Sequence, residues 1–256
     1  MSFDGVNDGI QGNASSSLNL YNTNYLTISA WINPNSISLT GSQRIFTHGS
    51  SVQQQYALSL DANNKIYFLA GGGLFEEQNQ VYNISNNSVT TNQWNHVAIT
   101  YDGYAIRLYL NSELDFEHIV SDNFSSDYGN FYIAQSHIGN ELFDGQIDNI
   151  NVWNIALSEN EIQDYMNCPP TGNEEGLIGY WNFDEVSENT VNDLSGNGNN
   201  GTINGATYST DVPQQSCQLT TVNGCDSIAN LNLLILASNS STDTIIECDS
   251  YTWING

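Results

Sequence analysis

The stretch from residue 93 to residue 111 constrains the fold more than any other part of the chain. Val97, Ile99 and Tyr101 alternate with polar or small residues, and Ile106, Leu108 and Leu110 do so again after a break. A period of two is what a half-buried strand requires, because successive side chains point to opposite faces of a sheet. Asp102-Gly103 separates the two runs, and glycine accepts the positive φ of a tight reversal. The stretch predicts a β-hairpin with one face in a core.

The same alternation sends His96, Thr100, Arg107 and Tyr109 to the opposite face. With Tyr67, which falls in another alternating run, His96, Arg107 and Tyr109 form a candidate ligand-binding set. Aromatic rings stack on sugar C–H faces, and arginine offers forked donors to hydroxyls or carboxylates. Ordinary cross-strand pairs on a solvated sheet are the plainer alternative. The loops 71–81 and 136–143 are further ligand-binding candidates.

Other strands follow the same logic. Residues 26–33 alternate until Pro34, which has no N–H to give to a ladder. Trp31 sits mid-strand and reads as core, with a sugar platform as the alternative. Further strands are expected at 44–48, 56–61, 65–70, 130–134, 137–140, 143–153, 176–184 and 202–208. One helix is expected near 158–166: Ser158 and Glu161 have the spacing of a capping box, and Ile162, Tyr165 and Met166 then share one side. Cys168-Pro169-Pro170 ends it.

Charge excludes several classes of partner. Three Lys+Arg against 28 Asp+Glu give a formal net charge of −25. Such a surface repels nucleic acid and anionic membranes, whose binding depends on basic side chains meeting phosphates. Aromatics at 11% fall in strand-like runs, so the acidity does not signal disorder. The most apolar run, 231–237, is far shorter than the roughly 20 residues a spanning helix needs, so no membrane insertion is expected. Met1-Ser2-Phe3-Asp4 has neither a basic nor an apolar leader segment, and the chain reads as an internal piece of something larger.

The cysteines are Cys168, Cys217, Cys225 and Cys248. No Cys-x-x-Cys pair occurs and no histidine stands at a zinc-ligand spacing, so disulfides in an oxidising exterior are the better reading. Four cysteines allow three connectivities, all of which remain open. From about residue 214 the composition changes. Cys225-Asp226-Ser227 is echoed by Cys248-Asp249-Ser250.

Several motifs carry a family resemblance. W-N-H-V-A-x-T-Y-D-G at 94–103, F-D-G-x-x-D at 3–8, T-I-S-A-W-I at 27–32 and F-x-G-x-I-D-x-I-x-V-W-N-x-A-L-S-x-x-E-I at 143–162 together resemble laminin-G-like domains of concanavalin A-like type. One departure is Gly9, where the family usually has an aromatic residue. The resemblance implies an all-β fold: a concanavalin A-like jelly-roll β-sandwich of two antiparallel sheets with one short helix, covering residues 1–213. In many relatives the strand pair at 176–208 precedes the F-D-G motif, so here it is expected to close the same sandwich from the C-terminal side. Residues 214–256 resemble part of a C-D-S repeat from large secreted surface proteins of Bacteroidetes-type bacteria.

The loop from Asp193 to Gly201 offers a carboxylate, amides and free carbonyls, a donor set suited to calcium. The resemblance implies a structural calcium held by Asp148, Asp193 and Asn197. A plain Asn-Gly turn whose aspartate caps its own backbone is the alternative. Glucanases of this fold carry acids resembling E-x-D-x-x-E on one strand, whereas Asp148 shares its predicted face with Ile150 and Val152. No catalytic activity is therefore expected. The implied function is a secreted or cell-surface binding and adhesion module for carbohydrate or an extracellular protein. A structural spacer is the alternative, and a glycoside hydrolase a weaker one.

Overall fold

The computed structural model describes residues 1–21, 23–35, 41–49, 55–70, 83–120, 124, 129–185, 189–217, 219–220 and 226–227. The chain divides into two units, Met1–Gln214 and Gln215–Gly256. In chain order the first unit holds β1 (Ser2–Asp4), β2 (Gly9–Gly12), β3 (Leu26–Pro34), β4 (Gln43–His48), β5 (Tyr56–Leu60) and β6 (Lys65–Ala70). It continues with β7 (Asn83–Ser88), β8 (Asn95–Tyr101), β9 (Ala105–Leu110), β10 (Glu113–Ile119), β11 (Phe131–Ile133) and β12 (Asp144–Trp153). After the helix α1 (Glu159–Asn167) come β13 (Leu177–Trp181), β14 (Thr190–Val191) and β15 (Gly201–Asn204). The second unit contributes the antiparallel pair β16 (Leu219–Thr220) and β17 (Asp226–Ser227). The loop 71–81, Cys225 and the second Cys-Asp-Ser lie outside the described residues.

Two antiparallel sheets face one another. The first runs β1-β12-β3-β8-β9-β10, with β13 also on β12; the second runs β14-β15-β2-β11-β4-β5-β6-β7. The organising hairpin forms as its alternation requires, with Val97 opposite Leu110 and Ile99 opposite Leu108. Gly103 takes φ +80 at the turn. The late strands do join the same sandwich, β13 beside β12 in one sheet and β15 beside β2 in the other.

The inward side chains make the core. Ile28, Ala30, Ile32, Val97, Ile99, Ile106 and Leu108 come from the first sheet, and Ile10, Phe46, Leu58, Phe68 and Phe131 from the second. Trp181 ties the layers together, with its ring 4.8 Å from Phe131 and 5.6 Å from Phe46. Gly12 admits this arrangement: a Cβ there would stand 1.8 Å from the Phe131 ring. Deleting such an aromatic costs about 3–5 kcal/mol, because the cavity only partly collapses.

A second apolar cluster sits on the outer side of the first sheet. Ala98, Tyr109, Trp153, Leu157, Ile162, Leu177 and Tyr180 pack there under α1, with the Trp153 ring tilted by 36° against Tyr165 at 4.8 Å. The helix starts where its sequence says it should. Ser158 accepts from the Glu161 N–H at 3.3 Å, and the Glu161 carboxylate accepts from the Ser158 N–H at 2.7 Å.

Trp31 corrects the sequence reading. It is half-buried on the outer face of β3, paired in register with His96, and its ring meets the imidazole edge-on at 5.3 Å. Its neighbours Ala30 and Ile32 fill the core instead. Residues 137–139 form a turn rather than a strand. The polar strand β7, Asn-Ile-Ser-Asn-Asn-Ser, has no apolar alternation to announce it.

Candidate functional site

The loop that follows β2 and the glycine-rich loop that enters β15 are brought together because β2 and β15 are neighbours, with Gly12 opposite Gly201. Between them lies an open cavity of about 410 Å³ lined by Asn13, Ala14, Ser15, Ser16, Gly198, Asn199 and Asn200. Its walls are held from behind. The Asn199 amide donates to Ser17 Oγ at 3.0 Å and to the Ile178 carbonyl at 2.8 Å, while the Asn199 carbonyl accepts from the Trp181 indole at 2.8 Å. The Ala14 N–H donates to Asn130 Oδ1 at 2.9 Å.

Asp193 organises the glycine-rich loop. One carboxylate oxygen accepts from the Tyr180 and Ser195 N–H groups, both at 2.9 Å, and the other from the Asn199 N–H at 2.9 Å. The Asp193 N–H in turn donates to Asn200 Oδ1 at 2.9 Å. Asn197 is exposed and turns its Nδ2 toward Ser195 Oγ at 3.0 Å and the Leu177 carbonyl at 3.3 Å. Asp148 lies on β12, in register with Trp31. Burial, with the charge of Asp184 adding, pushes its carboxyl up to about 6, against the Met1 α-amino group and an Asn149 hydrogen bond. N–H donors thus occupy the Asp193 oxygens, which is the arrangement of a self-capped turn. Calcium needs six to eight oxygen ligands, and the three residues do not fit that demand as they stand.

The candidate ligand set is split between the sheets, and two of its four members are buried. Tyr67 lies on β6 in the second sheet, while His96, Arg107 and Tyr109 lie on β8 and β9 in the first. His96 is 2% exposed and Tyr109 4% exposed. Tyr109 belongs to the cluster beneath α1, and burial holds the His96 imidazole down at about 3, so it is neutral. Arg107 donates to Asp102 and to Glu117, each at 2.7 Å. The structure therefore does not bring the four residues together on one sheet. The reason is physical: alternation says which side chains point away from the core, but not that α1 will cover Tyr109 or that Trp31 will lie against His96.

Asn13, Ser15, Ser16 and Asn200 are the residues that sequence reading missed. Their signal was weak, a run of small polar residues beside a glycine at each strand end. Side-chain amides and hydroxyls both donate and accept, so this lining can bind polyhydroxylated ligands. It contains no carboxylate, whereas glycoside hydrolysis in most families needs two.

Cys168 and Cys217 are disulfide-bonded. No helix among the described residues is long and apolar enough to cross a membrane.

Comparison with known proteins adds the lineage. No curated protein matches the chain. Among solved structures, the chain is similar to one from Bacteroides ovatus ATCC 8483 described as a candidate carbohydrate binding protein. The match has TM-score 0.64 and 23% identity, and it covers 81% of this chain and 60% of that one. It is also similar to a native heptameric SAP-like pentraxin from Limulus polyphemus, with TM-score 0.53, 17% identity, and 79% and 92% of the two chains covered. At these identities the likeness is one of fold. Residues 4–163 match the laminin-G-type family model described as the concanavalin A-like lectin/glucanases superfamily. On that match, and on the two-sheet sandwich that carries it, the chain belongs to the concanavalin A-like lectin/glucanases superfamily.

Proposed function

We propose that the first unit is a non-catalytic carbohydrate-binding module of an exported protein, and that sugar hydroxyls are received in the cavity between residues 13–16 and 198–200. The observation that carries this reading is the chemistry of the lining: amides, hydroxyls and backbone groups, with no acid among them. The fold shared with the Bacteroides ovatus protein supports it. The disulfide-bonded state of Cys168 and Cys217 supports export, because such bonds persist in oxidising compartments.

Isothermal titration of the full chain against a panel of soluble polysaccharides and their oligosaccharides tests the proposal. The expected result is saturable binding to at least one of them, weakened roughly fivefold or more by Asn13→Ala, the worth of one hydrogen bond. No reducing sugar is released. Silence across the panel favours a structural spacer, and release of reducing sugar favours a hydrolase.

A further inference from the structure

The exposed tyrosines among the described residues are Tyr21, Tyr25 and Tyr104, at 51%, 51% and 60% exposure. Tyr21 and Tyr25 belong to the segment between β2 and β3, and Tyr104 to the turn between β8 and β9. The two loops touch: a Cβ placed on Gly103 would lie 3.3 Å from Asn24 Cβ. They are also fixed in place. The Tyr104 N–H donates to Asp102 Oδ1 at 3.0 Å, and the Tyr21 N–H to Asn19 Oδ1 at 3.1 Å. Gln55 clamps the same loop by donating to Asn19 Oδ1 at 2.8 Å and accepting from the Leu20 N–H at 2.9 Å.

These rings stand at the same end of the sandwich as the cavity. Leu26 pairs with Tyr101, Thr27 with Trp153, and Trp153 with Leu177. The Leu177 carbonyl accepts from Asn197, in the loop that walls the cavity. Two strand spacings, about 10 Å, separate β3 from β13 along this end. The segment carrying Tyr21 and Tyr25 also begins at the cavity, with Asn13 to Ser16 in its lining.

Charge narrows the ligand. The chain has three Lys+Arg. Arg44 is paired with Glu141, and Arg107, at the hairpin near Tyr104, with Asp102 and Glu117. With that cation taken and the rest of the surface strongly acidic, a uronate or sulfate chain is repelled. An uncharged pyranose chain offers C–H faces to the rings and hydroxyls to the amides.

We infer that Tyr21, Tyr25 and Tyr104 form a stacking platform that extends the cavity into a site for several consecutive residues of an uncharged polysaccharide. This rests on the carbohydrate-binding reading above. A ligand that bridges both parts gains affinity with chain length.

The test titrates the full chain with laminarin, xylan, galactomannan and polygalacturonate, and with di- and hexasaccharides cut from the three neutral polymers. Wild type is expected to bind a neutral polymer and its hexasaccharide more tightly than its disaccharide, and polygalacturonate not at all. Tyr25→Ala combined with Tyr104→Ala is expected to weaken hexasaccharide binding about tenfold and leave the disaccharide unchanged. The paired Tyr→Phe variant, which keeps both rings, is expected to retain binding. Unchanged thermal melting of both pairs shows that they fold. Wild-type hexasaccharide affinity in the alanine pair overturns the platform and leaves the module reading intact, as does a preference for polygalacturonate. Binding of none of these probes overturns both readings.

Discussion

Tyr109 and Tyr104 belong to one hairpin and meet opposite fates: Tyr109 is 4% exposed and Tyr104 60%. Tyr109 points off the outer face of its sheet, where solvent is expected, yet α1 lies over it with Trp153, Leu157 and Ile162. Tyr104 sits at the turn, where strand alternation makes no statement, and stays open. The difference teaches that a strand pattern divides side chains between two faces without deciding which face remains wet. In this sandwich the outer face of the first sheet is partly a second core, and the open aromatic surface has moved to the loops.

The sharpest way to break the contrast is Trp153→Ala. If the outer face is a true core, removing the ring that α1 packs against costs about 3–5 kcal/mol, seen as a lower urea midpoint. A cost near zero would mean that the helix merely rests on the sheet. Next in size is Asp193→Ala at the loop end. Three backbone N–H groups lose their acceptor, which costs about 2 kcal/mol or more. The fall in melting temperature is expected to be the same in calcium and in chelator, since it is the turn that is undone. A fall confined to calcium-containing buffer would instead restore the metal reading.

Acid titration separates the covered face from the rest by sign. His96 is held at about 3 in the folded chain by burial, below the ordinary value of about 6.5. Its unfolded form therefore takes up a proton first, and stability is lost as pH falls from about 6.5 toward 3. Asp148 runs the other way. Raised to about 6 by burial, it takes its proton first in the folded chain, so stability is gained as pH falls from about 6 toward 4. His96→Phe is expected to flatten the acid-side loss of urea midpoint, and Asp148→Asn to raise stability above pH 6. Matching pH profiles in wild type and both variants would show that neither group is buried as described. The smallest effect belongs to Tyr104→Ala, within about 0.5 kcal/mol as for an exposed residue; a cost comparable to that of Trp153→Ala would erase the contrast.

The fold was legible wherever local pattern and tertiary burial agreed. Alternation around Asp102-Gly103 gave the hairpin, and Ser158 with Glu161 gave the helix start, because both signals depend on neighbours in sequence. Polar strands were not legible: β7, Asn-Ile-Ser-Asn-Asn-Ser, is recruited by pairing with β6 rather than by its own apolar face. Trp31 was misplaced because a tryptophan in mid-strand is silent on which face it takes; Ala30 and Ile32 decide it. The site was less legible still. Asn13 and Asn200 are far apart in the chain and meet because β2 pairs with β15, a contact that neither loop encodes. Tyr25 and Tyr104 carried a faint signal, large aromatics beside turn residues and outside any strand.

Amide chemical-shift mapping tests the central claim most directly. The full chain is titrated with the hexasaccharide of whichever neutral polymer it binds. The account predicts shifts gathered at residues 13–25, 102–105 and 195–201, with the outer face of β8 and β9 undisturbed. Shifts centred on His96, Arg107 and Tyr109, or on Tyr67 in the opposite sheet, with the loop end silent, would contradict it.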